Sequence, residues 1–239
     1  MQTFGPTSQV IFGCAVGAML LVGNAHAITL KPAIYTDAPR TSVVLGTRGV
    51  FGSEAIQMAR LPLFNVAKPV FTGWHATSDC NKEPGQECQT DRLHETWQSL
   101  LNTADQLSTT AQIPFINNRV NALIAYRDDM TGSGIVDQWA TPEEIMSRQT
   151  GDCEDFALLK MWLLERLGFS SHKMHVVVVS GLAMNQHHAV LVVQQDGQNL
   201  ILDNRHPTVR RDTDFNSYQA MASINRHGSW IHAMRRKKG

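Results

Sequence analysis

The chain has 239 residues, with 21 Lys and Arg against 21 Asp and Glu, for a formal net charge of zero. That balance argues against a nucleic-acid binder, which needs a basic excess to neutralise phosphates. A hydrophobic content of 43% argues against a disordered chain. The length fits one domain with an extension, large enough to bury a core without staples. Four cysteines with no CxxC pair argue against a disulfide scaffold or a structural zinc ribbon.

The apolar run from Val10 to Val22 is thirteen residues long, shorter than the roughly 20 a membrane span needs. Ala25-His26-Ala27 follows it as a small-x-small cleavage signal. Residues 1–27 are therefore read as a signal peptide and the protein as exported to the periplasm. The alternative, a retained single-span anchor, is disfavoured by the length of the run. Residues 28–75 are broken by Pro32, Pro39, Pro62 and Pro69 and read as an N-terminal extension packed on the main domain, residues 76–239. Within that domain Cys80 and Cys88 flank a polar loop with a Pro84-Gly85 turn that can bring its ends together. In an oxidising compartment a Cys80–Cys88 disulfide is expected, leaving Cys153 unpaired.

Helical periodicity begins near Arg92, with Leu93, Trp97, Leu100 and Leu101, and repeats over Val120, Leu123, Ile124 and Arg127. Thr141-Pro142-Glu143-Glu144 predicts a capped helix start with proline at its first position. Gly151-Asp152-Cys153-Glu154-Asp155 opens another helix, apolar on most of its surface and ended by Gly168, which should be central and buried. The period then changes to strands over Met174–Ser180, His187–Val193 and Leu200–Asp203, with Asp196-Gly197 as a two-residue hairpin turn. Helices followed by antiparallel strands define an α+β fold.

Cys153 falls in the first turn of the buried helix, where the positive end of the macrodipole favours a thiolate. A structural cysteine is the competing reading. The Asp196-Gly197 turn sets a register in which Asp203 lies opposite Val190, with His188 two residues along on the same face. His187 points to the other face. A cysteine, a histidine and a carboxylate so placed form the nucleophile, base and orienter of a cysteine hydrolase. Asp152, Glu154 and Asp155 are more carboxylates than one helix cap requires, and Ca²⁺ prefers several oxygen ligands. The competing reading is that Asp152 caps the helix while the other two favour its dipole. Trp139 lines a substrate cleft or packs in the core.

Trp139-Ala140-Thr141-Pro142-Glu143-Glu144, Gly151-Asp152-Cys153-Glu154-Asp155-Phe156-Ala157, His188-Ala189-Val190-Leu191-Val192, Leu202-Asp203-Asn204 and Ser223-Ile224-Asn225 resemble the bacterial transglutaminase-like cysteine proteinases. Within them the resemblance is to the periplasmic type that releases large biofilm adhesins. It spans roughly residues 80–232 and implies a papain/transglutaminase-like fold. It further implies Cys153 as nucleophile, His188 as general base, Asp203 as its orienter, and Ca²⁺ dependence through Asp152, Glu154 and Asp155. The substrate implied is the N-terminal retention segment of a large repeat-type outer-membrane adhesin. The regulatory partner implied is the periplasmic domain of an inner-membrane cyclic-di-GMP receptor. The alternatives are a transglutaminase-type acyl transferase, separable by an amine-crosslinking assay, and a non-catalytic calcium- or partner-binding module.

Overall fold

The computed structural model describes residues 49–58, 61–73, 91–127, 139–181 and 187–234. Residues 1–27, read as a signal peptide, about half of residues 28–75 and the expected Cys80–Cys88 disulfide lie outside the described residues.

Seven strands form one antiparallel sheet in the order β1-β9-β8-β4-β5-β6-β7. They are β1 (Ser53–Met58), β4 (Met174–Gly181), β5 (His187–Gln195), β6 (Gln198–Asp203), β7 (His206–Arg211), β8 (Tyr218–Asn225) and β9 (Gly228–Met234). The helices are α1 (Pro62–Gly73), α2 (Asp91–Asp105), α3 (Thr109–Leu123), α4 (Pro142–Arg148) and α5 (Cys153–Arg166). A short parallel pair, β2 (Ala125–Tyr126) with β3 (Thr150–Gly151), completes the α+β fold.

The centre is α5. Leu158, Leu159, Met161, Leu163 and Leu164 are fully buried, and they pack with Ala189, Leu191 and Val193 of β5 and with Ile113, Ile116 and Val120 of α3. The helix stops where its sequence says it should. Gly168 takes a φ of 88°, its N–H bonds Glu165 O, and the Phe169 N–H bonds Leu164 O, the double bond of a Schellman ending that needs a residue free to adopt positive φ. Helix α4 begins with the expected capping box between Thr141 and Glu144, with Pro142 in its first turn.

Asp196 and Gly197 have φ values of 50° and 74°, the paired positive angles of a type I′ hairpin turn. The register that turn dictates is the one observed, Leu191 opposite Leu202 and Val192 opposite Ile201. Alternate residues of β5 and β6 therefore divide between α5 on one face and a second cluster containing Val177, Val179, Phe215 and Tyr218 on the other.

Two expectations change. The helical pattern through Arg127 ends at Leu123, because Ala125 N–H bonds Gln149 O and Arg127 N–H bonds Gly151 O. The chain there pairs with β3 and fixes the residues just ahead of Cys153. Residues 49–73, read from their prolines as an extension, supply the edge strand β1, paired along its length with β9, and helix α1, whose Ala67, Val70 and Phe71 enter the core. Pro62 opens α1, a position where its missing N–H costs nothing.

Candidate active site

Cys153 is the first residue of α5 and is fully buried. Its sulfur accepts a hydrogen bond from the Ala189 N–H at 3.1 Å. Ala189 pairs with Val178 of β4, but the β5–β6 ladder begins only at Leu191, which leaves the other side of Ala189 open to the sulfur. Glu154 Oε2 lies 3.2 Å from the same sulfur. Cys153 is disulfide-bonded in this structure, its partner lying outside the described residues, so the expected unpaired thiol belongs to the reduced form. The thiolate chemistry below is that of the reduced form.

His188, one residue before the amide that meets the sulfur, donates or accepts through Nε2 at 2.8 Å from Asp203 Oδ1, and both side chains are 1% exposed. Its Nδ1 is buried without a hydrogen-bond partner. His187 lies on the opposite face of β5, half-buried, with Ala189 and Leu191. Burial pushes His188 below its ordinary pKa, partly offset by the hydrogen bond and charge of Asp203. Burial raises the pKa of Asp203, but the bond and charge of His188, the Arg205 N–H and the Tyr218 hydroxyl more than reverse this. The carboxyl is left well below the usual range. The pair is therefore a carboxylate holding an imidazole.

Several residues that complete the pair were not read from sequence. Arg205 N–H donates to Asp203 Oδ1 at 2.9 Å, an Asx turn that joins β6 to β7. Tyr218 O–H donates to Asp203 Oδ2 at 2.8 Å. Asn121 Nδ2 donates to Asp203 O at 2.9 Å, and Asn117 Nδ2 to Pro207 O at 3.1 Å. Two asparagines four apart in the apolar stripe of α3 are the signal that could have marked this contact.

Lys160, two turns along α5 from Cys153, is completely buried with no hydrogen-bond partner for Nζ. Burial lowers its pKa to about 7, against the opposing pull of Asp203. The unfolded chain holds this proton up to its ordinary value near 10.5, so between these limits it binds more protons than the fold does. Stability should therefore rise with pH from about 7 to about 10. Lys160→Met should remove that slope and stabilise the protein at pH 7 by on the order of a few kcal/mol. Denaturant titrations of both proteins across this range check it, and parallel slopes would refute it.

Asp152, Glu154 and Asp155 are 2%, 1% and 7% exposed. Asp152 holds the N-cap position but makes no side-chain capping bond, which removes the simplest structural role for it. Asp155 Oδ1 accepts from Ala140 N–H at 3.3 Å, tying the helix to the segment at Trp139. Trp139 itself is 5% exposed and packs in the core. Buried carboxylates suit calcium in kind and charge. Among the described residues, however, no three His, Cys, Asp or Glu side chains converge as a metal site, so binding would require these carboxylates to turn toward one ion. A Cβ on Gly151 would fall 2.7 Å from Asp155 Cβ and 2.8 Å from its Oδ2. Gly151→Ala should displace Asp155 and lower turnover at least about tenfold, a loss that kinetics on the purified variant would read.

A helix-start cysteine, a strand histidine and a carboxylate at the end of the next strand are the residue types that a thiol hydrolase of the transglutaminase-like fold uses. The model of the bacterial transglutaminase-like cysteine proteinases matches residues 66–238, and the chain belongs to that family. Among solved structures it is similar to Legionella pneumophila LapG, at 23% identity over 72% of this chain and 88% of that one, with a TM-score of 0.54. The calcium-bound form of that protein gives 0.55 with 90% of its chain covered, and the EGTA-treated form 0.54 with 86%. At this identity the likeness establishes the fold. No curated protein sequence matches the chain. Among the described residues no helix is long and apolar enough to cross a membrane.

Proposed function

We propose that this protein is an exported, calcium-dependent cysteine endopeptidase. In this reading it cuts the N-terminal retention region of a large repeat-type outer-membrane adhesin, and so controls biofilm attachment. The observation that carries the proteolytic part is the buried His188–Asp203 pair beside the Ala189 backbone amide that binds the Cys153 sulfur. In the reduced enzyme the thiol passes its proton to His188, and the thiolate attacks the scissile carbonyl carbon. The imidazolium returns the proton to the leaving amine as the C–N bond breaks, which leaves a thioester. His188 then takes a proton from water, whose oxygen attacks the thioester and releases the acid and the thiol. Asp203 holds the imidazole in the orientation that both steps need.

Asp152, Glu154 and Asp155 are the residues that would hold calcium. When bound, the ion supplies positive charge beside a sulfur that must become negative. The LapG neighbour was solved calcium-bound and EGTA-treated, and the buried carboxylates here support carrying that property to this chain. The proposed regulator is the periplasmic domain of an inner-membrane cyclic-di-GMP receptor, which would sequester the protease. The test is incubation with the N-terminal part of a large adhesin from the same organism, under reductant, with calcium or with EGTA. A discrete cut with calcium alone supports the reading. Intact adhesin in both arms overturns the substrate assignment.

A further inference from the structure

We propose that Tyr218 is a positioning residue for this site, its hydroxyl fixing the Asp203 carboxylate so that Asp203 in turn orients His188. The inference rests on the reading of His188 and Asp203 as base and orienter. Asp203 sits at the last position of β6, where the sheet gives way to a turn, and a carboxylate there has a free χ2 rotation unless both oxygens are held. Oδ1 is held by His188 Nε2 and the Arg205 N–H. Oδ2 accepts from the Tyr218 hydroxyl at 2.8 Å, delivered from β8, two strands beyond β5 in the sheet. A charge-assisted O–H···O⁻ bond of this length is strong and directional.

The ring that carries the hydroxyl is itself clamped. Phe215 stacks on Tyr218 with centroids 5.0 Å apart, Phe51 meets it edge-on at 5.8 Å, and the His188 ring lies 6.0 Å away. Phe51 is in turn fixed by its N–H bond to Asp212 Oδ2 at 3.0 Å. The aromatic cluster thus makes one wall against the imidazole and aims one polar group, at the carboxylate. Phenylalanine at 218 would keep every ring contact and remove the hydroxyl's bond to Asp203 together with its side-chain contact to Arg205, which separates positioning from packing.

The experiment is the rate at which iodoacetamide alkylates Cys153 in the reduced full chain, read by peptide mass spectrometry, for the wild type, Tyr218→Phe, Asp203→Ala and the double variant. Tyr218→Phe is expected to slow alkylation at pH 7 about tenfold with a melting temperature within a few degrees of wild type. In the Asp203→Ala background it is expected to have no further effect, since a residue acting through Asp203 has nothing left to act on. A merely structural tyrosine would lower both backgrounds equally and lower the melting temperature with them. Wild-type reactivity in Tyr218→Phe, or equal losses in both backgrounds, would overturn the proposal. Should Asp203→Ala itself alkylate at the wild-type rate, the triad reading fails instead, and the two failures are told apart without any substrate.

Discussion

Cys153→Ala should leave no measurable proteolysis while melting, under reductant, within a few degrees of the reduced wild type. Alanine fits the first turn of a helix and keeps the β-carbon that Cys153 contributes to the buried cluster with Leu158 and Leu159. His188→Ala should be as damaging, a loss of about a thousandfold or more, because the sulfur then lacks its base. His187→Ala should cost less than about threefold, since β5 turns that ring to the opposite face from the Asp203 contact. The measurement is kcat/KM on a cleavable peptide in the presence of a thiol reductant, which the bridged sulfur of Cys153 makes necessary. Equal losses for the two histidines would undo the strand alternation on which the assignment rests.

That alternation was legible because it depends on a local device. Asp196-Gly197 admits a two-residue turn with positive φ at both positions, and once the turn is fixed every partner along β5 and β6 follows. Helix starts were legible for the same reason: Thr141, Pro142 and Glu144 carry their own hydrogen-bond pattern within four residues. What sequence did not show was long-range. Strand β1 is short and half exposed, and nothing local in Ser53–Met58 says that it pairs with β9 some 170 residues later. The supports of Asp203 come from α3, β8 and the turn at Arg205, and only the last is close to it in the chain. The helix was legible as buried, but nothing in its pattern marks Lys160 as a lysine enclosed with it.

Chelation by EGTA should stop proteolysis, and added Ca²⁺ should restore it. The reason lies in the charge around one helix terminus. Asp152, Glu154 and Asp155 bring three carboxylates out of water within four positions, and one of them, Glu154, stands 3.2 Å from the sulfur that must become an anion. Negative charge beside a developing thiolate is repulsive, and low exposure leaves little solvent to screen it. A divalent cation offsets that charge and gives the carboxylates a reason to hold one geometry. Because the ion would bind the folded state alone, calcium at about a hundredfold over its Kd should stabilise the protein by about 2.7 kcal/mol and raise the melting temperature accordingly. Magnesium should substitute poorly, since its tighter octahedral shell tolerates irregular carboxylate sets less well. Asp152→Ala and Asp155→Ala should each abolish the calcium-dependent thermal shift together with activity, read by melts with and without EGTA alongside the peptide assay. Full activity of either variant in EGTA would show that the carboxylates serve only the helix, leaving the triad to work without a metal.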